Sequence, residues 1–449
     1  MDFTNKKILV VGLARSGLAT IKLLKKINPD INITLSESKP INEIAEASYL
    51  QSIGVKITDQ SLEVFKQDYD LVIKNPGVNY RSEKITLLHE RNIPVITEIE
   101  LAYLVSKPQH YVAITGTNGK TTTTTLVYEI LKAAYGDKAL VGGNIGIPLC
   151  ELVLENDLLN NEGYYIALEM SNFQLVDIDT FRPEIATILN LAPDHLDVMK
   201  TEDAYYCSKV RVYENMKDED TFIFNDDDAI IKEYSEKYPI NCKEEHFSLE
   251  KDNGSNFLKD GFIYVNNKPL LDISKIKVVG KHNLQNIIVA SIACKKLNVP
   301  DEVIQNTVYN FNGVEHRLEF VREVNGVKYY NDSKGTNTDA TITALKSFDK
   351  GVILLVGGFE KGLPMDELKK HLGCVKKIIG FGISAPRILN DLVGQNGIIV
   401  RDLPQALQVA NKLAEPGDTV LLSPTTSSFD QYSCFEERGD HFKKLVNNL

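Results

Sequence analysis

The chain has 449 residues, 43% hydrophobic and 25% charged, values of an ordinary globular protein that argue against collagen-like, coiled-coil or disordered chains. At roughly 100–200 residues per domain, the length calls for about three domains. The balance of 50 Lys+Arg against 61 Asp+Glu, a formal charge of −11, disfavours a broadly basic nucleic-acid-binding surface, so an anionic ligand needs a local cation or metal site.

The N-terminus places Lys6 and Lys7 before a short apolar run that breaks at Gly12-Leu13-Ala14-Arg15, a strand and turn rather than a signal peptide. No stretch approaches the roughly 18 apolar residues of a membrane span. Cys150, Cys207, Cys242, Cys294, Cys374 and Cys434 are scattered, with no CxxC spacing, as expected of reduced thiols. The expectation is a soluble, cytoplasmic protein.

Ile8–Val11 reads as a buried parallel strand, followed by the turn GLARSG and a helix with Leu18, Ile21 and Leu24 on one face. Strands at Ile31–Leu35 and Asp70–Ile73, with the turn Asn75-Pro76-Gly77, continue a βαβ rhythm to about Lys107-Pro108. A second unit opens on strand Tyr111–Thr115. Its further strands are Tyr164–Leu168, Ile185–Leu189 and Thr221–Phe224; loops and small strands follow over Glu244–Gly261, and a helix at Asn283–Lys296 closes it. A third α/β unit starts near Phe311, with strands Val327–Asn331, Gly351–Val356, Lys377–Gly380 and Thr419–Leu422.

The strongest chemical signal is GTNGKT, Gly116–Thr121, between a strand and a helix bearing Leu126, Val127, Ile130 and Leu131. Such a loop turns backbone N–H groups and a helix N-terminus toward phosphate, with Lys120 for the β/γ-phosphates and the Thr121 hydroxyl for Mg²⁺. It is a shortened form, because Ile114 stands where the general pattern has its first glycine. Glu169 ends an apolar strand, a position that faces a ligand crevice. Asp194, His195 and Asp197 follow another strand, and Lys209 lies near a helix. By itself His195 is as compatible with structural chemistry as with metal binding, and a lysine at the position of Lys209 is normally a surface charge. GLARSG has Ala14 in place of the middle glycine of GxGxxG, a weak dinucleotide signal. A nicotinamide oxidoreductase built on it leaves GTNGKT without a purpose. Lys361, in a Gly-rich turn, is a candidate cation for a carboxylate.

In order, GTNGKT, GGNIG, EMSNFQL, DHLD, YCSKVRVYEN, KHNLQN, EHR, NDSKGTN and LLSPTTSSFDQ, with GLARSG and TEIEL before them, resemble the Mur ligase family of ATP-dependent amino-acid ligases over essentially the whole chain. The resemblance implies an α/β fold of three domains. These are a Rossmann-like UDP-substrate domain (1–107), a central P-loop ATPase domain with a parallel sheet (108–310) and a Rossmann-like amino-acid-binding domain (311–449). It implies ATP and two Mg²⁺ ions, with Gly116, Thr117, Asn118, Gly119, Lys120, Thr121 and Thr122 on the phosphates and Asn286, Arg317 and Asp332 as further nucleotide contacts. Thr121 and Glu169 would share one Mg²⁺; His195 and a carbamylated Lys209 would serve the second. Lys120, His195 and Lys209 are the implied catalytic residues. Ser16, Gly77 and Asn144 match contacts to UDP-N-acetylmuramoyl-L-alanine; Thr336, Lys361, Ser428 and Phe435 match a D-glutamate pocket. Ser36-Glu37-Ser38 stands where relatives often carry Asp-Thr-Arg, so uracil contacts are not carried over there. A sister ligase adding another amino acid, or glutamate to folate, is the competing reading. The expected state is a monomer that binds neither nucleic acid nor membrane.

Overall fold

The computed structural model describes residues 3–359, 362, 364–393 and 397–449, the side chains of Leu196, Asp197 and Val393 aside. Lys361 lies outside the described residues. The chain folds as two compact units, Met1–Ile273 with Gln285–Thr307, and Ser274–Leu284 with Val308–Leu449. Among the described residues there are three mainly parallel sheets, two in the first unit and one in the second.

The first sheet contains β1 (Lys7–Val11), β2 (Asn32–Ser36), β3 (Val55–Thr58), β4 (Leu71–Lys74) and β5 (Val95–Ile96), in the order β3-β2-β1-β4-β5. Strand β1 is apolar throughout its interior because both faces are covered. Ile8 and Val10 enter one core cluster, while Leu9 and Val11 enter the other, as the two-residue period of a strand requires. The strand order reverses direction between β1 and β4. There the turns after the two strands open a crevice at their carboxyl ends, the usual ligand position in such sheets.

The second sheet holds β6 (His110–Thr115), β7 (Ala139–Gly143), β8 (Tyr165–Glu169), β9 (Ile185–Ile188), β10 (Thr221–Asn225), β11 (Lys243–Ser248), β12 (Asn256–Lys259), β13 (Phe262–Val265) and β14 (Lys268–Asp272). Its order, β14-β13-β12-β11-β10-β9-β6-β8-β7, puts β6 between β8 and β9. The loops after these strands therefore share one edge. The first two sheets are tied by buried polar contacts. Lys74 Nζ lies 3.1 Å from Asp177 Oδ2 with both side chains buried. The Glu100 carboxylate accepts from the backbone N–H groups of Asp179, Thr180 and Phe181 at 2.8–3.0 Å. Neighbouring Glu98 is also buried; desolvation pushes its carboxyl up to about 7, partly offset by the N–H groups of Cys150 and Leu149.

The sheet of the second unit is β15 (Glu319–Val324), β16 (Val327–Asn331), β17 (Val352–Gly357), β18 (Val375–Phe381), β19 (Ile398–Ile399) and β20 (Thr419–Leu422), ordered β15-β16-β20-β17-β18-β19. Strand β17 again serves two cores, Val352, Leu354 and Val356 on one face and Ile353 and Leu355 on the other. Helix Lys281–Lys296 begins in this unit and ends in the first, since the units divide between Leu284 and Gln285.

Candidate active site

In the first unit the loop after β6 leads directly into helix Lys120–Tyr135. Gly119 caps that helix at φ 85°, and a Cβ there would lie 2.5 Å from Asn286 Oδ1, so the loop and Asn286 meet only because the residue is glycine. The loop is laced to the segment after β9. Thr117 N–H donates to the Asn190 carbonyl at 2.9 Å, and Asn118 N–H to Asn190 Oδ1 at 2.9 Å. The Thr117 hydroxyl donates to the Ala192 carbonyl and accepts from Ala192 N–H. Lys120 Nζ folds back onto the carbonyls of Gly116 and Thr117, each at 2.9 Å. The first-turn N–H groups, unpaired within any helix, open at this loop. Thr122, Thr123 and Thr124 are buried, so much of the threonine run packs inward.

Glu169 ends β8 beside the loop and is 2% exposed. Its Oε1 accepts from Asn144 Nδ2 at 2.7 Å, whereas its buried Oε2 has no hydrogen-bond partner among the described residues. Gly143, at φ 97°, makes that pairing possible: a Cβ would lie 2.3 Å from the Glu169 carbonyl oxygen. Lys209, on helix Glu202–Val210, is 1% exposed and reaches under the loop. Its Nζ donates to the Gly116 carbonyl at 2.9 Å and to Thr115 Oγ1 at 3.4 Å, and lies 4.8 Å from the centre of the Tyr205 ring. Burial, reinforced by the charge of Lys120, drives its ammonium well below the usual lysine range, against the opposing pull of Asp194 and Glu169. The shift is in the direction of the neutral amine, the nucleophilic form of lysine. His195 is half-exposed in a left-handed conformation, φ 53°, edge-on to Phe173 at 5.2 Å and with Nε2 3.6 Å from Asp194 Oδ2.

Among the described residues no three His, Cys, Asp or Glu side chains gather into a metal cage. Mg²⁺ needs none, since it retains several waters and takes one or two carboxylates. The partnerless, buried Glu169 Oε2 is the kind of oxygen such a cation satisfies, so these residues fit Mg²⁺.

In the second unit, Arg317 is exposed at a turn whose neighbours His316 and Leu318 have φ 63° and 44°. Asp332 is buried just after β16. It accepts from Leu318 N–H at 3.1 Å and from Ser423 Oγ at 2.7 Å, and burial lifts its carboxyl to about 7 against those bonds and the nearby arginines. Ser428 is buried, and among the described residues its hydroxyl and those of Thr426 and Ser427 have no hydrogen-bond partner. The Phe435 carbonyl accepts from Ser333 Oγ at 2.8 Å. Thr336 lies in the loop after β16, where its N–H donates to the Lys334 carbonyl at 2.8 Å.

Sequence reasoning missed Arg438. It is fully buried, donating to Ser333 Oγ and the Ser333 carbonyl at 2.9 Å and to the Thr426 carbonyl at 3.1 Å. Burial lowers it to about 10, so it stays charged at neutral pH. Asn190, the partner of the phosphate loop, was also unmarked.

Back in the first unit, a cavity of about 480 Å³ opens at the β1/β4 crevice, lined by Gly12, Leu13, Ala14, Glu37, Asn75 and Gly77 among others. Asn75 organises its floor: Nδ2 donates to Ser16 Oγ at 2.8 Å and Oδ1 accepts from Gly77 N–H at 2.9 Å. The structure thus groups Ser16 with Gly77, and the phosphate loop with Asn144, Glu169, Lys209 and Asn286. Arg317, Asp332, Thr336, Ser428 and Phe435 belong to the other unit.

Residues 114–294 match the Mur ligase middle domain and residues 316–426 the Mur ligase glutamate ligase domain. The chain is 39% identical over 455 residues to a UDP-N-acetylmuramoylalanine–D-glutamate ligase of Geobacillus kaustophilus, covering 100% of this chain and 98% of that one. It belongs to the Mur ligase family. The enzyme of the same name from Lactococcus lactis is 39% identical over 453 residues, again with 100% and 98% coverage. Among solved structures, the fold of this Mur ligase is similar to UDP-N-acetylmuramate-alanine ligase of Thermotoga maritima, with TM-score 0.56 at 19% identity over 99% of this chain and 100% of that one. It is likewise similar to the MurF ligase of Thermotoga maritima solved with ADP, with TM-score 0.56 at 16% identity over 93% and 96% of the chains. Among the described residues no helix is long and apolar enough to cross a membrane.

Proposed function

We propose that this Mur ligase joins D-glutamate to UDP-N-acetylmuramoyl-L-alanine, with cleavage of ATP to ADP and phosphate, in peptidoglycan precursor synthesis. The choice of substrates follows the printed names of full-length relatives at 39% identity. The observation that carries the chemistry is the desolvated Lys209 beside the unsatisfied Glu169 at the phosphate loop. The alanyl carboxylate attacks the γ-phosphorus and ADP leaves, giving an acyl phosphate. The amine of D-glutamate then attacks that carbonyl, and phosphate departs from the tetrahedral intermediate. Gly116–Thr122 cradle the triphosphate, and Lys120 offsets the repulsion between carboxylate and phosphates. Two Mg²⁺ ions supply Lewis-acid neutralisation when bound. Thr121 and Glu169 would hold one. His195 and Lys209 would hold the other, Lys209 after its amine adds to CO₂ and loses a proton to become an anionic carbamate.

Asn286, Arg317 and Asp332 serve the nucleotide, and Ser16, Gly77 and Asn144 the UDP-substrate. Thr336, Lys361, Ser428 and Phe435 serve D-glutamate. Residues 1–107 form the UDP-substrate domain, 108–310 the ATP-binding domain and 311–449 the amino-acid-binding domain, with Asn144 an additional UDP-substrate contact from the second and Arg317 and Asp332 additional nucleotide contacts from the third. The enzyme works as a cytoplasmic monomer, without nucleic acid or membrane. The test is phosphate release from ATP, expected only when both UDP-N-acetylmuramoyl-L-alanine and D-glutamate are present. Equal turnover with L-lysine or diaminopimelate contradicts the D-glutamate assignment.

A further inference from the structure

Arg317 is exposed on a turn whose backbone is strained on both sides of it. His316 and Leu318 have left-handed φ, 63° and 44°, a conformation that a bulky residue keeps only where its surroundings hold it. Arg317 N–H donates to the Val314 carbonyl at 3.0 Å, the His316 carbonyl accepts from Lys334 N–H at 2.9 Å, and Leu318 N–H donates to Asp332 Oδ1 at 3.1 Å. The remaining donor of the turn, His316 N–H, is buried and goes to Glu319 Oε2 at 2.9 Å.

The Glu319 carboxylate is itself held from two other elements. Asn331, at the end of β16, donates through Nδ2 to Glu319 Oε2 at 2.9 Å and faces His316 Nδ1 at 3.0 Å. The partners of that amide determine its orientation, since a carboxylate only accepts and Ser333 N–H, 3.2 Å from Asn331 Oδ1, only donates. His316 Nδ1 is then an acceptor, and the proton of the neutral ring is on Nε2, 3.7 Å from Asp440 Oδ1. Glu319 Oε1 lies 3.5 Å from Nζ of Lys443, a residue of helix Phe435–Asn447. The same ammonium reaches Glu315 at 2.9 Å and Asp440 at 3.2 Å. Burial alone would lower Lys443, but these carboxylates outweigh it and lift it to about 12, so it is charged at neutral pH. The helix comes this close because residue 439 is glycine: a Cβ there would lie 2.1 Å from His316 Nδ1.

We propose that Glu319 is a positioning residue of the nucleotide site: its carboxylate, anchored by Asn331 and Lys443, holds the turn His316–Leu318 in its left-handed form and thereby presents Arg317 to the nucleotide. The inference rests on the reading of Arg317 as a nucleotide contact. A carboxylate set against a triphosphate would repel it. Spent on a backbone N–H, an amide and an ammonium, the same charge orders the turn instead. Without it, His316 N–H and an Asn331 proton are left buried and unpaired, and the turn loses a contact that offsets its strain.

The test is a double-mutant cycle on the full chain, read as the Kd for a non-hydrolysable ATP analogue by calorimetric titration. Arg317→Ala should weaken binding about tenfold or more, as for loss of a hydrogen bond from a charged group. Glu319→Ala should weaken it about tenfold, yet add less than about twofold in the Arg317→Ala background, because it acts through that arginine. Glu319→Gln, which keeps an acceptor for His316 N–H, should bind within about threefold of wild type. Affinity for the UDP-substrate, read in the other unit, reports that each variant is folded. Unchanged affinity for the analogue in Glu319→Ala overturns the positioning role. So does an effect that multiplies with that of Arg317→Ala, the result expected of a merely structural loss. Wild-type affinity in Arg317→Ala instead overturns the reading of Arg317. Where Glu319→Ala does not fold, Glu319→Asp carries the same cycle with the same outcomes, since its shorter side chain cannot keep both His316 N–H and Lys443.

Discussion

Lys209 and Arg438 are both fully buried basic side chains without a carboxylate at hydrogen-bond distance among the described residues, yet burial affects them very differently. Lys209 sits among a carbonyl, a hydroxyl and an aromatic ring with Lys120 nearby, and its ammonium form is strongly disfavoured. Arg438 meets a similar set of neutral acceptors, Ser333 Oγ and the carbonyls of Ser333 and Thr426. It is lowered only to about 10. The difference lies in the side chains: guanidinium starts higher and spreads its charge over a planar fork that several acceptors fit, whereas ammonium is a compact charge that desolvation readily deprotonates. Burial thus weighs far more on the ammonium of Lys209 than on the guanidinium of Arg438.

The strongest way to break that contrast is to exchange the chemistry at 209. Lys209→Ala should lower kcat about 10³-fold, the upper range for removing one group that stabilises developing charge, and excess bicarbonate should not restore it. Lys209→Arg should be equally inactive, because a permanent cation forms no carbamate; near-normal turnover by either variant removes the carbamate from the account. At Arg438 the expected loss is in stability. Arg438→Met leaves several buried acceptors unsatisfied, a cost of about 3 kcal/mol, measurable by chemical denaturation.

Asp332, whose charge interacts with that of Arg438, sharpens the contrast through pH. Its folded value of about 7 lies above the ordinary 3.8, so the folded state binds the proton more tightly than the unfolded chain. That contribution is fully present below the unfolded value and is lost as pH rises through the folded one. Between about pH 5 and pH 8 it should shrink by about 2.5 kcal/mol. Comparing wild type with Asp332→Asn by denaturation at the two pH values isolates it, since the variant lacks this slope. The smallest expected effect is at Gly119→Ala. A left-handed φ and an approach of 2.5 Å to Asn286 Oδ1 should weaken ADP binding about tenfold, from strain of about 1–2 kcal/mol.

What the sequence reveals here depends on whether partners are near in the chain. GTNGKT is legible because its glycines, lysine and threonine are contiguous. Strands β1, β6 and β17 are legible because sheets covered on both faces demand unbroken apolar runs. Strands β5 and β19 have two residues each, too short for any pattern, and β7 ends in a glycine pair that reads as a turn. Resemblance marks Glu169 and Asn144 individually, but their bond spans 25 residues and needs the β7/β8 pairing to be seen. Arg438 is invisible for the same reason. It lies in the highly charged helix Phe435–Asn447, and its partner Ser333 is 105 residues away.

The most direct measurement follows oxygen atoms. UDP-N-acetylmuramoyl-L-alanine labelled with oxygen-18 in its carboxylate is turned over with ATP and D-glutamate, and the released phosphate is weighed. Attack of that carboxylate on the γ-phosphorus predicts one labelled oxygen in each phosphate formed. Phosphate free of label contradicts an acyl phosphate, and with it the chemistry assigned to this site.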